Sequence, residues 1–523
     1  MEKSYTSKKV KHWKNMKLGL ISESMAVGIL AGLVVVFYRI MLDKSLKLSH
    51  MIYSKIGENI LLLIPWTIIL IMCGVILGIM TKKNPMIKGS GIPQIQGVIL
   101  RKLHMNGIRV VIEKLLGGII AIGAGLSLGR EGPSVQIGGA VGQSFSRFLG
   151  RGRLEEKYLV TSGASAGLSA AFNAPIAGVM FALEEIHKNF SPLILISAMT
   201  SSLTADFISR NFFGLKPVFR LEKIVMVKLE YYPYLIILGI ILGFLGKLFN
   251  NGLLKSQKIY KDMKFFKDEL KPIIPMLMAI VFGLFIPLVL GGGHDLIEEV
   301  LSGHIILSTI FILFLAKFIF TLASFGSGVP GGIFLPLLSL GALIGMGYGM
   351  VCSKFFGMDA NYIRSLGVLA MAGYFAATVK SPVTGSILIA EMTGSLEGFL
   401  ATGLVALVSY ITTDLIGNRP IYESLLEGIL SGEKIEEKNE SSEEKVIFEF
   451  IVPIDSHIDG KKIKDLNMSV KFLILAIKRG TEEVIPQGES MIKGGDVIVV
   501  MADSSVAYLV KEEFLDILKE KEN

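Results

Sequence analysis

The stretch Gly129-Arg130-Glu131-Gly132-Pro133 sets a charged pair among glycines and a proline, between two long apolar segments. A carboxylate at membrane depth is costly to bury, so its presence indicates a function. Gly132 frees the backbone and Pro133 suits the first helical position, so we predict that a helix begins here. A helix N-terminus carries unpaired N–H groups and the positive end of the helix dipole. We therefore expect Glu131 to compete with an anion for this place.

The composition predicts an all-α polytopic membrane protein. The chain has 523 residues, of which 51% are hydrophobic and 19% charged, and its mean hydropathy is +0.58. Apolar runs of about 20 residues recur along most of its length. The first run, 18–42, is too long for the core of a signal peptide and shows no small-residue cleavage site. We expect it to remain as the first membrane span.

The formal charge of +8 has its clearest cluster in a basic tail over residues 1–17. Such a tail can bind nucleic acid, but beside a membrane span it is typical of a cytoplasmic flank, and we expect no nucleic-acid partner. The two cysteines, Cys73 and Cys352, lie in or beside apolar runs and predict neither a disulfide nor a thiolate metal site. No metal and no other cofactor is expected.

Several later apolar segments are short and interrupted by glycine and proline. Some are too short to cross ~30 Å of hydrocarbon, which is typical of a transporter with half-helices that meet at the midplane. Two halves, about 18–213 and 231–424, also echo each other within a membrane domain over 18–430. Together the echoes favour an internal repeat, although either one alone can arise by chance.

The echoes are two short patterns. Gly89-Ser90-Gly91-Ile92-Pro93 recurs as Gly326-Ser327-Gly328-Val329-Pro330. Pro175, with Glu184 nine residues later, recurs as Pro382 with Glu391 nine residues later.

After residue 430 the composition changes. Residues 431–445 form a charged linker, and 446–523 are typical of a small α/β unit. Within that unit we predict strands and a closing helix from the alternation of apolar residues and the turn signals. The predicted strands cover 446–452, 472–477, 483–485 and 496–501, and the helix 506–518.

Three segments share glycines and small residues, then a proline, then an apolar helix: 89–93, 129–133 and 326–334. Tight helix packing is the ordinary explanation of any one such segment. Three of them, one with an Arg-Glu pair, favour a shared site built from helix N-termini. A conducting site must also release its ion, so N–H and hydroxyl donors suit it better than a lysine.

These segments resemble the three signature segments of the CLC chloride channel and transporter family. Residues 171–175 (Ala-Phe-Asn-Ala-Pro) and the late Pro420-Ile421-Tyr422 also fit, so the resemblance spans roughly 18–430 in the family's order and spacing. It implies a homodimer of subunits with the CLC-type inverted-repeat helical fold and broken helices. Each subunit would contain its own anion pathway, its two halves would be antiparallel and inverted, and membrane lipid would surround the dimer.

By position, the resemblance implies that chloride is held by the hydroxyls of Ser90 and Tyr422 and by the backbone N–H groups of Ile333 and Phe334. From the residues alone, Tyr422 is typical of an interfacial belt, and only the resemblance reverses that interpretation. Ser90 fits the chloride-preferring rather than the nitrate-preferring pattern. The segments also lack the altered signatures of the fluoride-exporting branch. Supporting positions are Gly129, Arg130, Gly132, Pro133, Gly328, Gly331, Gly332 and Glu184.

Two glutamates then receive roles from the resemblance. Glu131 matches the gating glutamate, which imitates the anion when ionised and swings away when protonated. Glu185 matches the internal proton-transfer glutamate of the exchangers, and its neighbour Glu184 is expected to support structure or hydration. Arg130 is either a steering cation or half of a structural ion pair. The prediction is a chloride/proton exchanger, and the alternative is a passive voltage- or proton-gated chloride channel of the same fold.

The C-terminal unit, 446–523, resembles the TrkA-C (RCK-C) regulatory domain in residues 459–466, 476–480, 485–486 and 492–497. The resemblance implies a small effector bound between two such domains, with a cyclic dinucleotide as the family-level candidate. A dimer-stabilising cap without a ligand is the alternative. No G-x-G-x-x-G follows a strand here, so nicotinamide sensing has no support.

Enzymatic activity is not expected. Residues 163–167 fit G-x-S-x-G, but residues 125–129 fit it equally well, so the pattern is common in this Gly/Ser-rich chain. No H-E-x-x-H occurs, and only His187 has a glutamate three residues before it. We expect a multi-pass protein of a prokaryotic cell membrane with both termini in the cytoplasm.

Overall fold

The computed structural model describes residues 2–188, 190–219, 225–303, 305–433, 445–454, 456–466, 471–479, 482–503 and 507–518. Most of the predicted charged linker lies outside these residues, as do Gly480 of the TrkA-C resemblance and the side chains of the N-terminal lysines. The chain divides into two compact units, Met1–Ser431 and Gly432–Asn523.

The first unit is helical and its elements follow one order twice. The first eight helices are α1 Glu2–Glu58, α2 Leu63–Lys83, α3 Ile92–Ile99, α4 Gly107–Gly123, α5 Glu131–Phe148, α6 Arg153–Phe172, α7 Pro175–Phe181 and α8 Pro192–Phe213. The next eight are α9 Tyr232–Asp262, α10 Ile273–Phe285, α11 His294–Ser302, α12 Leu307–Gly326, α13 Phe334–Phe356, α14 Ile363–Val379, α15 Pro382–Thr393 and α16 Phe399–Leu415, and α17 Ile421–Glu433 follows them. A short helix stands third in each series, and a proline begins the seventh.

This order corrects one of the two sequence echoes. Residues 89–93 lead into the third helix of the first series, whereas residues 326–330 lie between the fourth and fifth helices of the second. The segment in the position of 89–93 is Gly291-Gly292-Gly293, directly before α11. Glycine, serine and proline accompany any break where helix N-termini approach one another, so the shared letters did not mark equivalent elements.

Among the described residues, seven helical stretches are long and apolar enough to cross a membrane by length and composition. Large apolar side chains such as Phe37 on α1 and Ile68 and Met72 on α2 point outward, as a lipid-facing surface requires. The molecule is therefore a multi-pass membrane protein. α1 is much longer than the predicted span of 18–42, since it runs on to Glu58.

Helices α5 and α6 pack with their backbones in contact. A Cβ atom added to Gly138 would lie 2.1 Å from the carbonyl oxygen of Gly163, and one added to Gly163 would lie 2.1 Å from that of Gly138. Gly142 and Gly167 meet opposing carbonyl oxygens at the same distance. Small residues allow this approach in a membrane protein, and it fixes the direction of α5, which begins at Glu131.

The second unit is a small α/β fold, as predicted. Strands β1 Lys445–Ile451, β2 Leu473–Arg479, β3 Glu482–Val484 and β4 Val497–Asp503 form one antiparallel sheet in the order β1-β4-β2-β3. Helix α18, Ala507–Ile517, packs on the sheet, and Phe514 stacks against Phe450 with ring centroids 4.7 Å apart. The unit thus has its own apolar core. The predicted all-α membrane fold with a small C-terminal α/β unit is confirmed.

Candidate functional site

Three glycine-rich loops meet in the middle of the first unit. Gly129 and Gly332 exchange two backbone hydrogen bonds, of 2.7 and 2.8 Å. The Gly331 amide donates to the Gly89 carbonyl oxygen at 3.0 Å, and the Gly89 amide donates to the Gly328 carbonyl oxygen at 3.4 Å. Because these loops precede α3, α5 and α13, the N-termini of the three helices converge, as the sequence led us to expect.

The loops come this close because glycines stand at the contacts. A Cβ atom on Gly132 would lie 2.2 Å from Ser90 Oγ, and one on Gly91 would lie 2.4 Å from Gln136 Oε1. Gly91 also has a φ of +95°, a conformation that favours glycine. Ser90 is therefore held directly against the first turn of α5.

Glu131 is fully buried at the first position of α5, two residues before the proline that suggested the helix start. A Cβ atom added to Gly129 would lie 2.2 Å from Glu131 Oε2 and 3.2 Å from the Leu335 amide nitrogen, so the Glu131 carboxylate is close to that amide. The carboxylate thus lies at the N-terminus of α13 as well as that of α5. Neither of its oxygens has a hydrogen-bond partner of good geometry among the described residues.

The predicted hydroxyls also lie here. Ser90 is 2% exposed and Tyr422 is fully buried, and the two hydroxyls are neighbours. Neither has a hydrogen-bond partner of good geometry within the described part of the chain. Buried polar groups are normally paired, so these two neighbouring hydroxyls are candidates for binding a polar ligand.

Ile333 and Phe334 are fully buried at the start of α13, where the first bond of the helix runs from the Leu337 amide to the Ile333 carbonyl oxygen. The preceding amides therefore have no acceptor inside the helix. The Phe334 ring packs against Phe172 and Phe375, with centroids 5.3 and 4.5 Å away. A desolvated anion would find N–H and O–H donors here without a full opposite charge.

Glu185 is also buried, with 2% exposure, in a π-helical turn over Ala182–His187 that continues α7. Its carboxylate accepts one hydrogen bond from Gln96 Nε2 and one from Ser381 Oγ, both at 3.0 Å. Such π-turns often accompany functional residues.

Glu184 does something different from its neighbour. Its carboxylate accepts hydrogen bonds from the amides of Val383 and Thr384, at 3.3 and 2.7 Å, and so caps the N-terminus of α15. Glu391 on α15 caps α7 in return, accepting from the amides of Ile176 and Ala177 at 3.1 and 2.8 Å. The two halves therefore exchange helix caps.

Arg130 donates to Asp43 Oδ1 at 3.0 Å, so it forms the ion pair that was one of its two interpretations. Both residues line a cavity of about 430 Å³ that also reaches Leu335, next to Glu131. Arg39, Lys216 and other charged side chains line the same cavity. We call it the outer cavity.

Sequence reasoning missed three residues that hold the site. Lys114 on α4 is fully buried and donates from Nζ to the carbonyl oxygens of Ile87 and Gly89, at 2.9 and 2.7 Å. Gln96 and Ser381 orient Glu185. Lys114 carried a signal, since a lysine inside an apolar helix needs a partner, whereas Gln96 and Ser381 carried none.

Residues 73–414 match the family described as voltage gated chloride channel, and residues 447–515 match the TrkA-C domain. The first match covers well over half of the chain. This chain belongs to the voltage gated chloride channel (CLC) family. The resemblance seen in the signature segments is thereby confirmed.

Relatives in this family include the H(+)/Cl(-) exchange transporter ClcA of Salmonella typhimurium, which is 33% identical over 442 residues. That alignment covers 81% of this CLC chain and 92% of the relative. ClcA of Salmonella paratyphi A is 32% identical over 439 residues, which cover 81% of this chain and 92% of that one.

Solved structures with the same fold include a slow cyanobacterial Cl⁻/H⁺ antiporter, with a TM-score of 0.76 and 27% identity. It covers 79% of this chain and 99% of its own. A CLC-type fluoride/proton antiporter has a TM-score of 0.65 at 24% identity over 77% of this chain and 97% of its own, and shows the fold alone.

Proposed function

We propose that this CLC protein exchanges chloride for protons across the membrane. The observation that carries the proposal is the pair of buried carboxylates, Glu131 and Glu185. A passive pore needs no second buried carboxylate, and a buried ionisable group inside a membrane is usually functional. The names of the ClcA relatives and of the cyanobacterial antiporter support the same activity.

In the proposed mechanism, chloride binds between the Ser90 and Tyr422 hydroxyls and the amides of Ile333 and Phe334. Ionised Glu131 occupies the adjoining place at the N-termini of α5 and α13, where it imitates the anion. A proton removes the charge that holds it there, so the side chain leaves and chloride can take the place. Protonation and anion movement are thereby coupled.

Glu185 is the proposed residue that passes protons to and from Glu131. Gln96 and Ser381 each hold one carboxylate oxygen, which fixes the side chain for transfer. Glu184 is proposed to support this place through its cap on α15 rather than to carry protons itself.

The test is simultaneous recording of chloride and pH in proteoliposomes of the purified protein under a chloride gradient. The wild type should drive protons against their gradient. Glu131→Gln should pass chloride without protons, because a neutral side chain neither competes with chloride nor carries a proton. Glu185→Gln should abolish proton movement specifically.

Glu397→Gln, which removes an exposed carboxylate, is the matched control and should behave as the wild type. Chloride flux without proton movement in the wild type would favour the passive channel instead. Undiminished proton pumping in Glu131→Gln or Glu185→Gln would contradict the roles proposed here.

We further propose that a small ligand, with a cyclic dinucleotide as the first candidate, regulates the protein through the TrkA-C unit. A core of its own and the family match support a regulatory module. Full-length protein titrated with a nucleotide panel should change in exchange rate and thermal stability, and a chain truncated after Ser431 should not. The same response in both chains would contradict a ligand site in this unit.

A homodimer with both termini in the cytoplasm completes the proposal. Light scattering of the solubilised protein should give the mass of two chains. A cysteine introduced into the basic tail should react with an impermeant reagent only from the cytoplasmic side. A monomeric mass, or labelling from outside, would contradict these two statements respectively.

A further inference from the structure

A second cavity of about 380 Å³ lies where three helices of the first half end or begin. It is bounded by the end of α3, the end of α5 and the start of α6. We call it the basic pocket, because most of its charged side chains are cationic. They are Arg101, Arg147, Arg153 and Lys157, with Glu156 as the one carboxylate among the described lining residues.

The basic pocket faces the opposite surface of the membrane from the outer cavity. Asn173 at the C-terminus of α6 lines the outer cavity, whereas Arg153 is the first residue of the same helix. A helix of 20 residues is about 30 Å long, the thickness of the hydrocarbon layer. α1 agrees, because Glu23 pairs with Arg151, whereas Asp43, which lies 20 residues further along the same helix, pairs with Arg130 at the outer cavity.

The pocket has positive charge that is not neutralised within it. Glu156 accepts hydrogen bonds from Gln143 Nε2 at 3.0 Å and Arg147 Nη2 at 3.3 Å, so its charge is already engaged. Within the described part of the chain, Arg101, Arg153 and Lys157 have no ion-pair partner. Arg101 also holds a φ of +60°, a left-handed position at the end of α3 that costs an arginine more than a glycine.

The surroundings of the pocket are apolar in a way that suits a lipid. Buried Ile99, Leu103 and Met105 form part of its wall. Beside it, Leu100, Phe148 and Leu154 are 55%, 85% and 58% exposed. A soluble anion would make no contact with these exposed apolar side chains. A phospholipid would place its phosphate among the cations and its acyl chains along the apolar side chains.

We propose that the basic pocket binds the headgroup of an anionic phospholipid. Basic pockets between helices on the cytoplasmic side are known to suit such headgroups. The ligand is thus a phosphodiester of the leaflet on the side where α1 begins. The bound lipid holds the ends of α3 and α5 together, and this role does not depend on which ion the protein transports.

The test is native mass spectrometry of the full-length protein from nanodiscs of phosphatidylcholine with and without phosphatidylglycerol. The wild type should retain phosphatidylglycerol in preference to phosphatidylcholine. A variant with Arg101→Gln, Arg153→Gln and Lys157→Gln should lose that preference, by about fivefold in affinity for each cation removed. Arg101→Lys with Arg153→Lys keeps the charge and should restore retention, which separates lipid binding from a folding defect.

Lys255→Gln, Lys258→Gln and Lys261→Gln remove the same charge from the exposed surface of α9 and should leave retention unchanged. Equal retention of both lipids, or full retention by the pocket variant, would overturn the proposal. Displacement of phosphatidylglycerol by inorganic phosphate would overturn it in favour of a soluble anion. Slower chloride flux of the pocket variant in pure phosphatidylcholine, absent in the control, would assign the pocket to chloride entry instead.

Discussion

Two buried lysines show how single residues hold this protein together. Lys317 on α12 occupies the place in the second series that Lys114 occupies in the first. It donates to the carbonyl oxygens of Val289 and Gly291 at 3.0 and 2.7 Å, just as Lys114 donates to those of Ile87 and Gly89. The two lysines therefore make the same hydrogen bonds to equivalent loops. Only the loop that Lys114 holds contains Ser90.

This equivalence predicts different effects of the same substitution. Lys114→Met should weaken chloride binding on the order of tenfold, because it removes two hydrogen bonds that position the Ser90 loop, each contributing about 0.5–1.5 kcal/mol. Lys317→Met loses the same bonds and should change chloride affinity less than about twofold. Isothermal titration of chloride into both purified variants measures this, and equal losses would contradict a positioning role for Lys114.

In the C-terminal unit, Asp496 is almost fully buried and accepts hydrogen bonds from Arg479 Nε and Nη2 at 2.8 and 2.7 Å. Burial by itself raises the pKa of the Asp496 carboxyl, but the bonds from Arg479 and from the Lys493 amide outweigh burial and hold the pKa below its ordinary value. A carboxyl with a lowered pKa stabilises the fold above its unfolded pKa, and this stability is lost as the pH falls through the folded pKa.

Asp496→Asn should therefore lower the free energy of unfolding of this unit by about 3 kcal/mol at pH 7. The difference from wild type should shrink below about pH 4, where the unfolded carboxyl begins to bind its proton. Hydrogen exchange of residues 445–503 in the full chain measures both effects. Glu449→Gln, which breaks an exposed pair with Lys478, is the control and should cost no more than about 1 kcal/mol.

Contact between the backbones of α5 and α6 determines where the N-terminus of α5 lies. α5 reaches the central loops with Glu131 at its start because Gly138 and Gly142 let it lie directly on α6. The sequence indicated helix N-termini and small-residue packing. It did not indicate that Gly138 faces Gly163, since two residues that are 25 positions apart on different helices give no periodic signal.

Gly138→Ala should destabilise the protein by about 1–3 kcal/mol or prevent its folding, because the added methyl group would lie 2.1 Å from a carbonyl oxygen that cannot move alone. Gly403→Ala on α16 is the matched control, since apart from the backbone of its own helix no described atom lies within 4 Å of its added Cβ. Thermal melting of both purified variants checks this prediction. A normal melting temperature for Gly138→Ala would show that α5 and α6 can separate.

At the scale of the whole molecule, composition and apolar run length predicted a helical membrane unit followed by a small α/β unit. The signature segments predicted that Ser90, Glu131, Phe334 and Tyr422 come together. What escaped prediction depends on contacts between distant parts of the chain, such as Ser381 on Glu185. The mistaken pairing of residues 89–93 with 326–330 has the same cause. A short sequence similarity does not show which helix of the repeat the segment precedes.

Every predicted site residue lies in the first unit. A chain that ends after Ser431 should therefore retain chloride-driven proton transport in liposomes. Regulation by a ligand of the TrkA-C unit should be the only property lost. A folded, truncated protein that passes chloride without protons would contradict this division of labour.

Because each half caps a helix of the other, the order of synthesis matters for the first half. The cap of α7 is Glu391, 215 residues after Ile176, so α7 leaves the ribosome before its cap exists. At about 5–20 residues per second, that interval lasts about 10–45 s. During this interval the first half lies in the bilayer while the N-terminal amides of α7 lack their carboxylate cap. Its final shape is set only when the second half arrives.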